Sequence, residues 1–288
     1  MLERKKRCRA FESLSSVLEG YFTSIDGNQD GQISTGLVEL DRCTLGLSSG
    51  HLVVIGSRPE VGKTSFALSV GEHAALQQGR SVGIFSIQSS NRDVASRILA
   101  AESLVPVRNI LSGRLSARQH QAVLETNRRL ENAPIFIDAV HQLDIEHLIH
   151  EAYQARDDGH LDLLIVDNVQ MLQNLSHPRE NRAEEFDSTV RSLKHLAREL
   201  EIPVIVVSQV SSKRRLLIPT VDDLEGAAPL TEHADLILLV HRSEASYDRL
   251  NESAGIAEII VAKNRQGMRG VFRAAFLEDV PAFRDLVA

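Results

Sequence analysis

Gly62, Lys63 and Thr64 stand between an apolar run at 51–56, "HLVVIG", and a stretch with helical spacing that carries Phe66, Leu68 and Val70. That context is the one a phosphate-binding loop requires. A nucleoside triphosphate needs several backbone N–H groups at a helix amino terminus, one ammonium group and one hydroxyl for magnesium. In such a loop Gly62 admits close backbone approach, Lys63 reaches the β and γ phosphates, and Thr64 ligates Mg2+. Ser57, Arg58, Pro59, Glu60 and Val61 form the turn before them, and Ser65 continues the helix behind them. The strict pattern has its first glycine where Ser57 stands, so the reading rests on the strand–loop–helix context as well as on the triplet. Asp167, closing the apolar run "LDLLIVD", is the carboxylate expected to hold the magnesium from the same sheet edge. Gln209, closing "IPVIVVSQ", is placed to sense a γ phosphate.

These residues need a sheet to bring them together. Runs rich in Val, Ile and Leu recur at 51–56, 81–87, 133–138, 161–167, 202–209, 234–241 and 256–263. They lack polar alternation, which suits strands buried on both faces, and helical spacers separate the early ones. The pattern predicts an α/β domain with a mostly parallel central sheet flanked by helices. Upstream, Phe11, Leu14, Val17, Leu18, Tyr21, Phe22 and Ile25 are spaced by threes and fours, which predicts an amphipathic helix over 11–25. The division expected is 1–34 as an N-terminal helix and flexible linker, and 35–288 as the ATPase domain.

Composition bounds the class. The chain has 288 residues, 43% hydrophobic and 25% charged, which is ordinary for a globular protein. No apolar run approaches the length of a bilayer span. Cys8 and Cys43 supply neither a disulfide framework nor a zinc set, which fits a cytoplasmic protein. A net charge of −7 argues against a protein that coats DNA through overall basicity, though not against a local basic channel. The stretch 26–34, "DGNQDGQIS", imitates the front of a calcium loop, with Asp26, Asn28 and Asp30 at alternate positions. Its twelfth position is Leu37 rather than the bidentate Glu such loops need, and Glu39 comes two residues late. Calcium binding is not expected, and the polar stretch is read as a linker.

The ordered series of segments resembles the ATPase domain of DnaB-type replicative helicases, in the RecA-like group. "ISTGLVELDRCTLGLSSGHLVVIGSRPEVGKTSFAL" resembles the family's approach to its phosphate loop. "FSIQSS", "LIVDNVQML", "SLKHLARELEIPVIVVSQ", "HADLILLVHR" and "GIAEIIVAKNRQGMRG" follow in family order. The resemblance implies a RecA-like P-loop NTPase that assembles into a ring, usually a hexamer. It also implies ATP between neighbouring subunits, single-stranded DNA as the track, and a replication loader or primase as partner. Lys263 and Arg265, in "AKNRQG", match the positions that reach the adjacent subunit's γ phosphate.

Three departures qualify it. Where the family's second strand ends in a glutamate that polarises the attacking water, this chain has Gln88, which orients water but cannot take its proton. Where the family places a short Arg- and Gly-containing loop facing DNA, this chain has Glu225, Gly226, Ala227 and Ala228, with Lys213, Arg214 and Arg215 upstream as substitute phosphate contacts. No counterpart of the family's N-terminal helical domain is expected within these residues, and the 11–25 helix has the character of the linker helix that docks on the next subunit. Two functions follow: a helicase-like ring ATPase, or a hydrolysis-impaired paralogue acting as a nucleotide-binding regulatory or assembly component.

Overall fold

The computed structural model describes residues 13–15, 18, 32–140, 142–174, 181–211, 218–243 and 254–286. Leu14, Ser15 and Leu18 are helical, with both leucines exposed. The rest of the helix expected over 11–25 lies outside the described residues, as do 26–31 and the candidate DNA contacts Lys213, Arg214 and Arg215. Residues 33–288 form one compact unit.

That unit is built on a nine-stranded sheet. In chain order its strands are β1 (Leu52–Ser57), β2 (Val82–Ser86), β3 (Ile135–Ala139), β4 (Leu163–Asp167), β5 (Val204–Gln209), β6 (Leu236–His241), β7 (Ile256–Asn264), β8 (Gly270–Leu277) and β9 (Ala282–Arg284). Their spatial order is β9-β8-β7-β6-β1-β5-β4-β2-β3. The six strands from β6 to β3 are parallel, and β7, β8 and β9 continue the sheet antiparallel. The seven apolar runs each became a strand. The two C-terminal strands were not expected from the sequence: β8 buries only some of its residues, and β9 has three.

The burial of β1 on both faces explains its unbroken apolar run. Val53 and Ile55 pack into one core with Phe66, Val70 and Ala74 of α2 (Lys63–Gln78) and with Val94 and Ile98 of α3 (Asn91–Ser103). Leu52 and Val54 pack into the other, with Leu148 and Ala152 of α6 (Ile145–Asp157) and Val190, Leu193 and Leu196 of α7 (Arg182–Leu200). Between α3 and α6 come α4 (Val107–Ser112) and α5 (Ala117–Leu130), and α8 (Ala227–His233) precedes β6. A short helix, α1 (Val38–Thr44), comes before β1 and contributes Leu40 to the first core.

Two details position the chemistry. The six parallel strands put all their carboxyl ends on one edge of the sheet, where ligands of such folds collect. The chain at 34–36 is also fastened to the far end of α2. Ser34 N–H donates to Gln78 Oε1 (3.1 Å), Gln78 Nε2 donates to the Ser34 carbonyl (3.2 Å), and Ser34 Oγ lies 3.2 Å from His73 Nε2. Asp41 of α1 accepts from Thr35 N–H and Thr35 Oγ1 (2.9 and 2.7 Å).

Candidate nucleotide-binding site

The loop at 58–62 leaves β1 and turns into α2 through two residues with positive φ, Glu60 at 64° and Gly62 at 118°. A side chain on Gly62 would meet the rings of Phe283 and Phe276 at 3.2–3.3 Å, so space as well as backbone conformation favours glycine there. The first intrahelical bond of α2 runs from Phe66 N–H to the Gly62 carbonyl (2.8 Å). The amides of Lys63, Thr64 and Ser65 consequently have no carbonyl within the helix to bond. No acidic residue lies in the first turn to compete for them. Phe66 anchors the helix from below, fully buried and edge-on to Phe283 at 5.2 Å.

Asp167 closes β4 and is 5% exposed. Thr64 Oγ1 donates to its Oδ2 at 2.8 Å, while its Oδ1 is buried without a partner. Burial pushes the Asp167 carboxyl above the usual carboxylate range, against the Thr64 bond and the charges of Lys63 and Arg97. Burial pushes the Lys63 ammonium down, against the charges of Asp167 and Glu225. Two opposite charges, both short of solvation, are what a site looks like when it is shaped for a dication and a polyanion. The unpartnered oxygen beside a threonine hydroxyl fits Mg2+ held by Thr64 and Asp167, and the dehydrated ammonium beside free helix amides fits the phosphates of ATP.

Gln209 closes β5 and pairs across the ladder with Ser57 at the root of the loop. Its Nε2 donates to Glu225 Oε1 at 3.4 Å. Gln88 is exposed and lies one residue beyond Ile87, whose N–H donates to the Asp167 carbonyl (2.7 Å), so it sits on the same edge. Ser57, Arg58 and Val61 are buried, as is Ser65 in the first turn of α2, and Pro59 and Glu60 are exposed at the tip of the loop.

Lys263 and Arg265 do not join this group. Asn264 pairs with Leu236 at the start of β6, and Leu236 pairs with Val53. Val53 lies four residues before Ser57, which puts Asn264 about 13 Å down the sheet from the root of the loop at ~3.3 Å per residue. Lys263 Nζ donates to the carbonyls of Thr231 and Ala234 (both 2.6 Å) at the carboxyl end of α8. Arg265 donates to Asp235 Oδ1 (3.3 Å) and to the Glu232 carbonyl (3.1 Å). Both are bonded within the chain at the edge of the sheet opposite its phosphate loop.

The sequence reading did not foresee the corner at 224–226. Val210 bridges Leu224, Glu225 N–H donates to the Gln209 carbonyl (2.8 Å), and Ser211 N–H donates to the Asp223 carbonyl (2.8 Å). Gln170 Nε2 donates to both Ser208 Oγ (2.7 Å) and the Glu225 carbonyl (3.0 Å). Gly226 has φ 76°, and a Cβ there would lie 2.2 Å from Phe186. The only signal in the sequence was the acid itself, since the bridge that folds it back on Gln209 joins residues far apart in the chain.

Among the described residues one trio of metal-ligating groups stands together, Asp187, Glu232 and His233. Asp187 already accepts from Arg191 and His233, so both of its oxygens are engaged within the chain. No described helix is long and apolar enough to cross a membrane.

Comparison with known proteins shows the family and the fold. The profile of the DnaB-like helicase C terminal domain matches residues 32–285. The replicative DNA helicase DnaB of Geobacillus stearothermophilus is 31% identical over 99% of this chain and 64% of its own length. The replicative DNA helicase DnaC of Bacillus subtilis (strain 168) is 30% identical over 98% of this chain and 64% of its own. The chain thus spans just under two thirds of the length of these relatives. Among solved structures, an isolated ATPase domain superposes with a TM-score of 0.88 at 25% identity, covering 96% of this chain and all of that one. A DnaB-like replicative helicase studied with its interactions with primase superposes with a TM-score of 0.84 at 25% identity, covering 96% of this chain and 68% of that one.

Proposed function

The chain belongs to the DnaB-like helicase C-terminal domain family, and from that premise we propose that it is a ring-forming ATPase that moves on single-stranded DNA during replication in the cytoplasm. The observation that carries its ATPase part is the meeting of Thr64 and Asp167 beside Lys63 at one sheet edge, with Asp167 Oδ1 buried and unpartnered; the ring and the DNA track rest on the family.

In this reading the α2 amides and Lys63 bind and orient the triphosphate. Thr64 and Asp167 hold Mg2+, which when bound screens the phosphate oxygens. Gln209 and Gln88 flank the position of the attacking water. Lys263 and Arg265 of one subunit reach the γ phosphate bound by the next and stabilise the charge that develops on it. That assignment calls for a homo-oligomer, a hexamer by family pattern. A primase or loader is the natural partner class.

Gln88 favours a second reading, in which the chain binds nucleotide but hydrolyses it slowly and serves as a regulatory or assembly component; Glu225 fits it only as an acid standing where a DNA contact is expected. ATP turnover measured with and without single-stranded DNA, beside Lys63→Ala, separates the two. Stimulation by DNA that Lys63→Ala abolishes supports the motor. Nucleotide binding without DNA-stimulated turnover supports the regulatory component.

A further inference from the structure

Taking the site above as an ATP site, we propose that Glu225 is the general base for hydrolysis, replacing the carboxylate that position 88 lacks. The inference rests on the reading of this site as one that hydrolyses ATP, and it assigns the one role that the reading leaves open.

Removal of a proton from the attacking water calls for a carboxylate on the γ-phosphate side of the loop, held in place and open to a water molecule. Of the glutamines on this edge, Gln88, Gln170 and Gln209, none accepts a proton. Asp167 is committed to Thr64 and to the cation side of the site. Glu225 meets the requirement. Its side chain accepts from Gln209 Nε2 at 3.4 Å, which puts it beside the residue best placed to orient the same water. Gln209 in turn pairs across the ladder with Ser57 at the root of the phosphate loop, so Glu225 stands on the same sheet edge as that loop. It is exposed, so water reaches it.

The backbone beneath it is fixed from several sides. The Glu225 amide bonds to Gln209, its carbonyl accepts from Gln170, the Val210–Leu224 bridge precedes it, and Gly226 packs against Phe186 immediately after it. Such a corner holds a carboxylate in one place, as a base must be held.

The step balances simply. A lone pair on the water oxygen forms the new bond to the γ phosphorus, and the bond from that phosphorus to the bridging oxygen breaks, its electrons staying on ADP. One water proton passes to a Glu225 oxygen while Gln209 holds the other in a hydrogen bond. The proton on Glu225 then returns to solvent, leaving ADP, inorganic phosphate and a released proton.

The test compares wild type, Glu225→Gln, Gln88→Glu and the double variant for ATP turnover, for affinity towards a fluorescent ATP analogue, and for thermal midpoint. Glu225→Gln is expected to lower kcat by about 10²–10⁴-fold, the usual size of a lost base, with affinity within about 3-fold and an unchanged midpoint. Gln88→Glu on that background is expected to restore at least ~10-fold, because it returns a carboxylate to the water from the other side. Turnover of Glu225→Gln that matches or exceeds wild type overturns the assignment. So does a fall in kcat accompanied by an equal fall in affinity. A wild type that binds the analogue but does not turn ATP over also overturns it, leaving nucleotide binding intact. Failure of the wild type to bind the analogue would instead remove the ATP site itself.

Discussion

At the carboxyl end of β4, Asp167 is buried with one oxygen bonded to Thr64 and the other to nothing. At the opposite end of the sheet Asp235, equally buried, is fully used. Its Oδ2 accepts from Leu52 N–H (2.8 Å) and Lys194 Nζ (2.6 Å), and its Oδ1 accepts from Arg265. Their titration differs accordingly. Burial dominates at Asp167 and lifts its carboxyl. Burial pushes Asp235 up too, but the Lys194 and Leu52 hydrogen bonds and the Lys194 charge outweigh it and hold the group below the ordinary value. A structural carboxylate is satisfied within its own chain. A functional one keeps a valence for what it binds, and that costs stability in the free protein.

Arg265 probes the boundary between the two ends. It donates to Asp235 yet is half-exposed, at 51%. If it acts on a neighbour's phosphate, Arg265→Ala lowers ATP turnover of the assembled ring by about 10³-fold or more. The unfolding free energy should move by less than about 1 kcal/mol, because the pair is screened by solvent. Denaturant titration beside the turnover assay checks both, and a loss of stability without a loss of turnover would make Arg265 one more structural partner of Asp235.

Asp235→Ala strands Lys194, only 18% exposed, and the buried Leu52 amide. It is expected to cost about 3–5 kcal/mol in urea unfolding near neutral pH. The sign with pH follows from its lowered carboxyl. The stability it contributes is present above the unfolded value of about 3.9 and disappears as pH falls through the native value below it. The variant therefore lacks that part of the wild type's acid-induced loss.

Asp167→Asn reverses the pattern. Turnover should fall by about 10²–10³-fold. Stability at neutral pH should rise by about 1 kcal/mol, since a poorly solvated buried charge is gone. Because the native state favours protonated Asp167, its unfavourable contribution grows as pH rises, and the gain from the variant should shrink in acid. A destabilised Asp167→Asn would erase the distinction between the two ends.

The parallel core and the phosphate loop were legible because both are local. Each strand buried on both faces leaves a continuous apolar run, and a loop that must cradle phosphate leaves glycine, lysine and threonine in fixed order. The C-terminal strands were less legible: β8 is partly exposed and β9 is held largely by its neighbours. The fixed place of Glu225 was hidden for a related reason. It depends on a bridge to Val210, a side chain from Gln170 and a ring from Phe186, none of which is near it in sequence. Lys263 and Arg265 were legible only through resemblance. In their own chain they look like an ordinary helix cap and ion pair, and a role in a neighbour's site leaves no mark on one copy.

The attachment of Ser34 to His73 and Gln78 has a mechanical meaning. The helix α2 spans 16 residues, or roughly 24 Å at 1.5 Å per residue. Its first turn forms the proposed phosphate site, and its last turns grip the backbone at Ser34. A helix bonded along its length is a stiff rod, with no hinge between those two points. On the proposed reading, load arriving at Ser34 would pass along the helix axis to the phosphate loop, and a shift of that loop would return to Ser34 by the same shaft.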